Sequence, residues 1–362
     1  MNPPPNGFLD RRAFLRRSIL ATGLVGSHSI PPFLTELKAQ TPRPGNALRI
    51  PPEWDGSPLK VAHDQLEVWP GYLTDVFSIN GSVPGPTIRI QKGEEFSAKV
   101  ENHLSEEFVM HWHGILAPES MDGHPRDAVA PGEFYEVNFR INQPASTSWY
   151  HSHTDMLTAE QVYAGVAGLF IVEDPSESAL GLPSADHDIP LVIADRRSNA
   201  QRQFNYSPFM MDIMTGYLGD IALVNGTPDA WLSVDSGLYR FRLLNGSNAR
   251  VFRIALSDNH PFHIIGSDSG LLAEPIEVTS AWLAPGERTE ILVDFSTYNS
   301  GSSVMLKSLP FFSSGGMMGG GMMGGSSQGI EMDLMRFYVD TEANGANSVP
   351  DALVSIPSLD PA

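Results

Sequence analysis

Apolar and polar residues alternate with a period of two along much of this chain. Ile88 and Ile90 flank Arg89, while Tyr239, Phe241 and Leu243 alternate with Arg240 and Arg242. Successive side chains of a strand point to opposite faces, so this pattern predicts strands with one face on a core. The runs are short and broken by 33 Gly and 29 Pro, which points to an antiparallel β-sandwich. One short helix is predicted over 159–166, and a last strand over 335–339.

Two stretches present the same signals in the same order. Asn80-Gly81, Pro84-Gly85-Pro86, the strand at Thr87–Ile90 and the strand ending at Asn102 form the first set. Asn225-Gly226, Thr227-Pro228, the strand at Trp231–Val234 and the strand ending at Asn245 form the second. Ala130-Pro131-Gly132-Glu133 then recurs as Ala284-Pro285-Gly286-Glu287. A repeat of about 150 residues is a duplicated domain rather than a solenoid unit. The expected layout is a domain over 46–178, a second over 179–345 and a tail over 346–362. Within the second domain, a Gly- and Met-rich insert over 313–329 lacks the means to build a core.

The net charge is −19 with 18% charged residues, a field that repels nucleic acid and favours cations. Residues 1–39 read as a targeting segment. Asp10-Arg11-Arg12-Ala13-Phe14-Leu15-Arg16 resembles a twin-arginine export signal, with Asp10 where Ser or Thr is usual. The apolar run after it, Ile19–Val25, is too short to span a bilayer. The resemblance implies the twin-arginine export machinery as a partner, a periplasmic or exported location and no stable membrane span. Cysteine is absent, so stability must come from packing or from metal.

Two His-x-His pairs carry the candidate chemistry: His111-Trp112-His113 and His151-Ser152-His153. On a strand, each pair places two imidazoles on one face, roughly 6.5–7 Å apart. Two such strands side by side would converge four neutral nitrogen ligands, a set suited to copper, zinc, iron or nickel.

The flanking residues resemble the multicopper oxidase family, of the laccase and cuprous-oxidase type. The first domain of that family is matched by Asn80-Gly81, Pro84-Gly85-Pro86-Thr87, His111-Trp112-His113-Gly114, Met121-Asp122-Gly123 and Trp149-Tyr150-His151-Ser152-His153. The second is matched by Asn225-Gly226, Arg242-Leu243-Leu244-Asn245 and Pro285-Gly286-Glu287-Arg288. The resemblance implies an all-β fold of two tandem cupredoxin-like Greek-key β-sandwich domains. It also implies copper as cofactor, with His111 on the type 2 ion and His113, His151 and His153 on the type 3 pair. Asp122 would be the catalytic acid that delivers protons. The implied reaction couples one-electron oxidation of a small reducing substrate, a phenol or Cu(I), to four-electron reduction of dioxygen to water.

Without cysteine no thiolate type 1 site can form, so the chain is expected to be a truncated oxidase, inactive alone. A non-catalytic periplasmic copper-binding protein is the alternative, and a copper-free scaffold of the same fold a third. Other readings stay open for single features. The four histidines would also suit one tetrahedral zinc, and Asp122-Gly123 is also a common turn dipeptide. Met317, Met318, Met322 and Met323 offer soft thioethers for Cu(I) or are incidental to a flexible loop. His260-Pro261-Phe262-His263 imitates a copper motif, but Ile265 stands where a further histidine would complete it, so a structural role is expected.

Overall fold

A computed structural model describes residues 43–312, 328–342 and 348–356. The segment 1–39, read above as an export signal, and Met317, Met318, Met322 and Met323 lie outside them. The fold is two β-sandwiches in tandem. In the first, a four-stranded sheet holds Leu59–Trp69, Tyr72–Ile79, Glu95–His103 and Phe134–Arg140, and the facing sheet holds Ile88–Gln91, Met110–His111, Ser146–Ser152 and Ala167–Glu173. The second is built of a six-stranded and a seven-stranded sheet. The predicted helix is Thr158–Ala164 and the last strand Met332–Thr341.

The sheets are mixed rather than purely antiparallel. Leu59–Trp69 runs parallel to Glu95–His103, and Asp188–Arg196 parallel to Leu238–Asn245. In a sandwich the chain repeatedly crosses from one sheet to the other, and a strand returning after a crossover lies parallel to its neighbour. Alternation within one strand reports its faces and carries no information about that direction.

The repeated motifs fold into the same local devices. Asn80-Gly81 and Asn225-Gly226 both take positive φ at both residues, as tight type I′ turns require. Each Asn side chain then accepts a backbone N–H, from Lys60 at 2.7 Å and from Val192 at 2.8 Å. Asn102 and Asn245 each accept from the glycine of a Pro-Gly turn, Gly132 at 2.8 Å and Gly286 at 2.9 Å. Glu133 and Glu287 accept from the N–H of Ala130 and Ala284 respectively. The duplication is therefore one of hydrogen-bond chemistry as well as of sequence.

The Pro84-Gly85-Pro86 turn sits against Tyr150, which is fully buried and donates to the Pro86 carbonyl at 2.6 Å. A Cβ on Gly85 would lie 2.6 Å from the Tyr150 hydroxyl, and one on Gly168 2.4 Å from its ring. Both glycines thus leave room for the tyrosine beside His151. Gly168→Ala should destabilise the fold by roughly 1–3 kcal/mol through overpacking. Urea unfolding checks this, and an unchanged midpoint would show that Tyr150 has freedom to move.

Arg240 and Arg242 oppose the apolar residues of their strand as alternation requires, yet every residue of Leu238–Asn245 is buried. Their face packs against the first sandwich, where Thr147 meets Arg242 and Glu290 at 3.1 and 2.6 Å. A tandem sandwich buries both faces of a sheet at its seam, and there the polar face is paid for with ion pairs.

Candidate metal centre

The short strand Met110–His111 pairs antiparallel with Ser146–Ser152, with His111 directly opposite His151. The ladder continues past both ends. His153 N–H donates to Val109 O at 2.9 Å, and Trp149 N–H donates to His113 O at 3.3 Å. This register puts all four imidazoles on one side. Trp112 is turned to the other, fully buried against Phe96, with ring centroids 4.9 Å apart.

Ring centroids measure the gathering. His111 lies 5.6 Å from His113, 5.4 Å from His151 and 5.0 Å from His153; His151 lies 5.5 Å from His113 and 6.1 Å from His153. Ring nitrogens of His111, His113 and His151 all come within 4.8 Å of one another.

Backbone carbonyls fix the tautomers, because a carbonyl can only accept. His111 Nδ1 donates to Asp122 O and His151 Nδ1 to Ser152 O, each at 2.7 Å. Both rings thereby present an unprotonated Nε2, the form that ligates metal. His151 Nε2 lies 3.3 Å from His113 Nδ1. His153 Nδ1 is buried with no hydrogen-bond partner among the described residues.

The Asp122 carbonyl reaches His111 because Gly123 follows it. Gly123 has φ +77°, and a Cβ there would lie 1.9 Å from Met110 O. Only glycine lets this turn cross the His111 strand so closely.

The electrostatics favour neutral rings. Burial pulls the His151 pKa down to about 3, against the Ser152 carbonyl, which raises it. Burial and the Arg288 guanidinium pull His113 to about 4. Burial, then His111, lowers His153. Around pH 7 these three are therefore free bases, and no proton competes with a metal. Asp122 runs the other way: burial raises its carboxyl, opposed by His111 and His153. Its Oδ1 lies 3.3 Å from His111 Nδ1, yet it is buried and makes no hydrogen bond.

Two supporting residues went unassigned in the sequence, although both fall inside motifs quoted for the resemblance. The Trp149 indole stacks on His151 at 4.0 Å and 28°, and lies 5.1 Å from His113. Arg288 ties the second sandwich to this face, donating to Gly286 O at 2.9 Å and Thr147 O at 3.1 Å. A motif names such residues; only packing shows what they touch. The other histidines have different partners. His260 meets Thr297 and Tyr298, and His263 lies 3.6 Å from Glu277. His187 stacks on Tyr239, and His124 accepts from Arg126 N–H.

Four imidazoles turned to one side, three of them with lowered pKa values and one ring nitrogen still unsatisfied, fit a late first-row metal such as copper or zinc. The donor set contains no thiolate and no fixed carboxylate cage, which excludes a calcium- or magnesium-type site.

Comparison with known proteins agrees with this chemistry. Family models described as multicopper oxidase match residues 60–177 and 197–310. The chain is 37% identical over 303 residues to the cell division protein FtsP of Xenorhabdus nematophila, covering 80% of this chain and 60% of that protein. It is 35% identical over 238 residues to multicopper oxidase mco of Staphylococcus aureus, covering 66% and 53%. The chain thus spans a little over half of the length of these curated relatives. Among solved structures, the McoA multicopper oxidase of the hyperthermophile Aquifex aeolicus superposes with a TM-score of 0.77 at 36% identity, covering 87% of this chain and 69% of that one. A laccase-like multicopper oxidase, CueO, from the lignin-degrading bacterium Ochrobactrum sp. gives 0.76 at 35% identity, covering 86% and 68%.

Proposed function

The chain belongs to the multicopper oxidase family, and from that premise we propose that His111, His113, His151 and His153 are this chain's share of an oxygen-reducing copper centre. The family is a copper family, and the donor set here suits that metal. One observation carries the reading: the strand register gathers four imidazoles, and backbone carbonyls on the Nδ1–H of His111 and His151 leave the Nε2 of each facing the cluster. His111 is assigned to the type 2 ion and the other three to the type 3 pair. Copper held there would supply one-electron redox chemistry. Asp122, its carboxyl raised by burial beside His111 and His153, is the proposed proton donor of this reaction. The proposed reaction takes four electrons from a phenol or Cu(I), and four protons, to turn dioxygen into two waters. An exported, periplasmic protein is the matching location. No helix among the described residues is long and apolar enough to cross a membrane.

One observation favours a second reading, a copper-binding protein without turnover. These 362 residues contain no cysteine, so none of them supplies the thiolate of an electron-accepting type 1 site. The name of the FtsP relatives adds a third reading, a role in cell division.

Copper loading separates these. The chain should bind more than one Cu(II), give a nitrogen-coupled paramagnetic resonance signal and lose part of its tryptophan fluorescence through Trp149. A protein that takes up zinc and rejects copper would overturn the assignment. On either copper reading the copper-loaded chain alone should not turn over a phenolic dye. Turnover once a polypeptide carrying a thiolate type 1 copper site is supplied would mark a share of an oxidase; full loading with no turnover even then would mark the second reading.

A further inference from the structure

Taking the four histidines as the copper centre proposed above, we propose that Gln161 is its positioning residue, setting the spacing of the two His-x-His strands from the side opposite the imidazoles. Ser152 lies between His151 and His153, so alternation turns its hydroxyl away from their rings. There it donates to Gln161 Oε1. Gln161 Nε2 donates in turn to Glu106 Oε1 at 2.8 Å and to Glu107 O at 3.1 Å, on the segment that leads into Met110–His111. One fully buried amide thus joins the strand of one histidine pair to the approach of the other.

The helix Thr158–Ala164 delivers the amide, with Gln161, Val162 and Tyr163 as its buried residues. The helix hangs from the histidine strand at both ends. At its start, Leu157 and Thr158 N–H donate to Thr154 O at 3.1 and 3.0 Å. At its end, Gln161 O accepts from Val166 N–H at 3.0 Å, and Val166 O accepts from Ser152 N–H at 3.4 Å. Thr154 adds a second tie between the strands. Its Oγ1 accepts from Val109 N–H at 3.1 Å, and its own N–H donates to Ser152 Oγ at 3.4 Å.

The histidine strands need such a tie. Met110–His111 is two residues long, whereas the groups of a binding site must be held to within about 0.5 Å by what surrounds them. Burying an amide gains little stability, because its desolvation offsets most of what its hydrogen bonds return. What it supplies, and an apolar side chain of the same size does not, is direction: Oε1 is committed to one strand and Nε2 to the other. The amide cannot turn over without breaking three hydrogen bonds. The tie reaches a ligand through the backbone, since His151 Nδ1 donates to Ser152 O at 2.7 Å. A shift of Ser152 therefore turns the ring that faces His111 and His113.

The test is Gln161→Met in the full chain, which keeps an unbranched side chain and removes the amide. Its Cu(II) affinity, measured against a calibrated chelator, should fall roughly tenfold. That is the low end of the 10–100-fold loss that follows removal of a group supporting a metal ligand, because Gln161 acts through Ser152. The copper hyperfine coupling of the loaded variant should change as well. Ser152→Ala should reproduce both effects, and the double variant should lose about tenfold, not the hundredfold of two independent residues. If Gln161→Met does not fold, Ser152→Ala, which deletes one oxygen, decides by the same readouts. An amide with a structural role alone would lower the denaturant midpoint and leave affinity and hyperfine coupling at their parent values; that result, or a hundredfold loss in the double variant, would overturn the proposal. A second readout needs no copper. In the metal-free chain with labelled histidines, the nuclear Overhauser contacts of the His111 ring with His151 and His153, at centroid distances of 5.4 and 5.0 Å, should weaken in Gln161→Met. Unchanged contacts would overturn the positioning role, whereas a parent chain that takes up no copper would overturn the histidine assignment.

Discussion

Replacing His151 with alanine should lower the chain's affinity for Cu(II) by roughly two to three orders of magnitude. Four-ligand structural zinc sites in small domains bind with about 10–16 kcal/mol, or roughly 2.5–4 kcal/mol per ligand, and each 1.4 kcal/mol is about tenfold. His151 should sit at the upper end of that range for three structural reasons. Its Nδ1 is committed to Ser152 O, so Nε2 needs no tautomer change before binding. Its Nε2 lies 3.3 Å from His113 Nδ1, so its loss also removes a neighbour of a second ligand. It is 7% exposed under Trp149, so water cannot take its place without disturbing the stack. His151→Phe keeps an aromatic ring against Trp149 and separates lost ligation from lost packing. Both variants should lose affinity alike, while His260→Ala should leave it unchanged. Competition against a calibrated Cu(II) chelator measures all three. An affinity for His151→Ala within threefold of the parent would remove His151 from the centre.

The contrast between His151 and His260 also shows what the sequence made legible. A period of two and a pair of histidines two apart suffice to place both imidazoles on one face of a strand. That two such strands are neighbours, with His111 opposite His151, came from the family motifs rather than from spacing. The repeated Asn-Gly and Pro-Gly-Glu signals were equally readable, because each is a backbone requirement that few residues can meet. What stayed hidden has one cause: it depends on residues far apart in sequence. The Asp122 carbonyl on His111, the crossing allowed by Gly123 and the Trp149 stack are tertiary facts. Strand direction was misjudged for the same reason, since alternation is blind to it.

The seam between the sandwiches should prove at least as sensitive as the proposed copper centre. Glu290 is 1% exposed and is held by three groups. Arg240 Nε donates to it at 2.8 Å, Arg242 at 3.1 Å and the Thr147 hydroxyl at 2.6 Å. Arg242 is shared with Asp188 at 2.8 and 3.0 Å, and Asp188 in turn meets Arg89 of the first sandwich at 3.2 Å. Burial pushes the Glu290 carboxyl up, but Arg240 and Arg242 outweigh it and hold the pKa below the ordinary value. Glu290→Gln keeps the shape and removes the charge. It leaves the fully buried Arg242 and its neighbour Arg240 short of one counter-ion, and breaking a buried pair in this way costs roughly 3–5 kcal/mol. Denaturant unfolding should show that loss with little change in slope. The pH dependence supplies a second check. A carboxylate with a depressed folded pKa contributes stability that is present above its unfolded value, about 4.3, and is lost as pH falls below it. The parent should therefore weaken on acidification below about pH 4.3, and Glu290→Gln should lack that part of the loss. A variant as stable as the parent at pH 7 would mean that water reaches Arg240 and Arg242 and takes the place of the lost counter-charge.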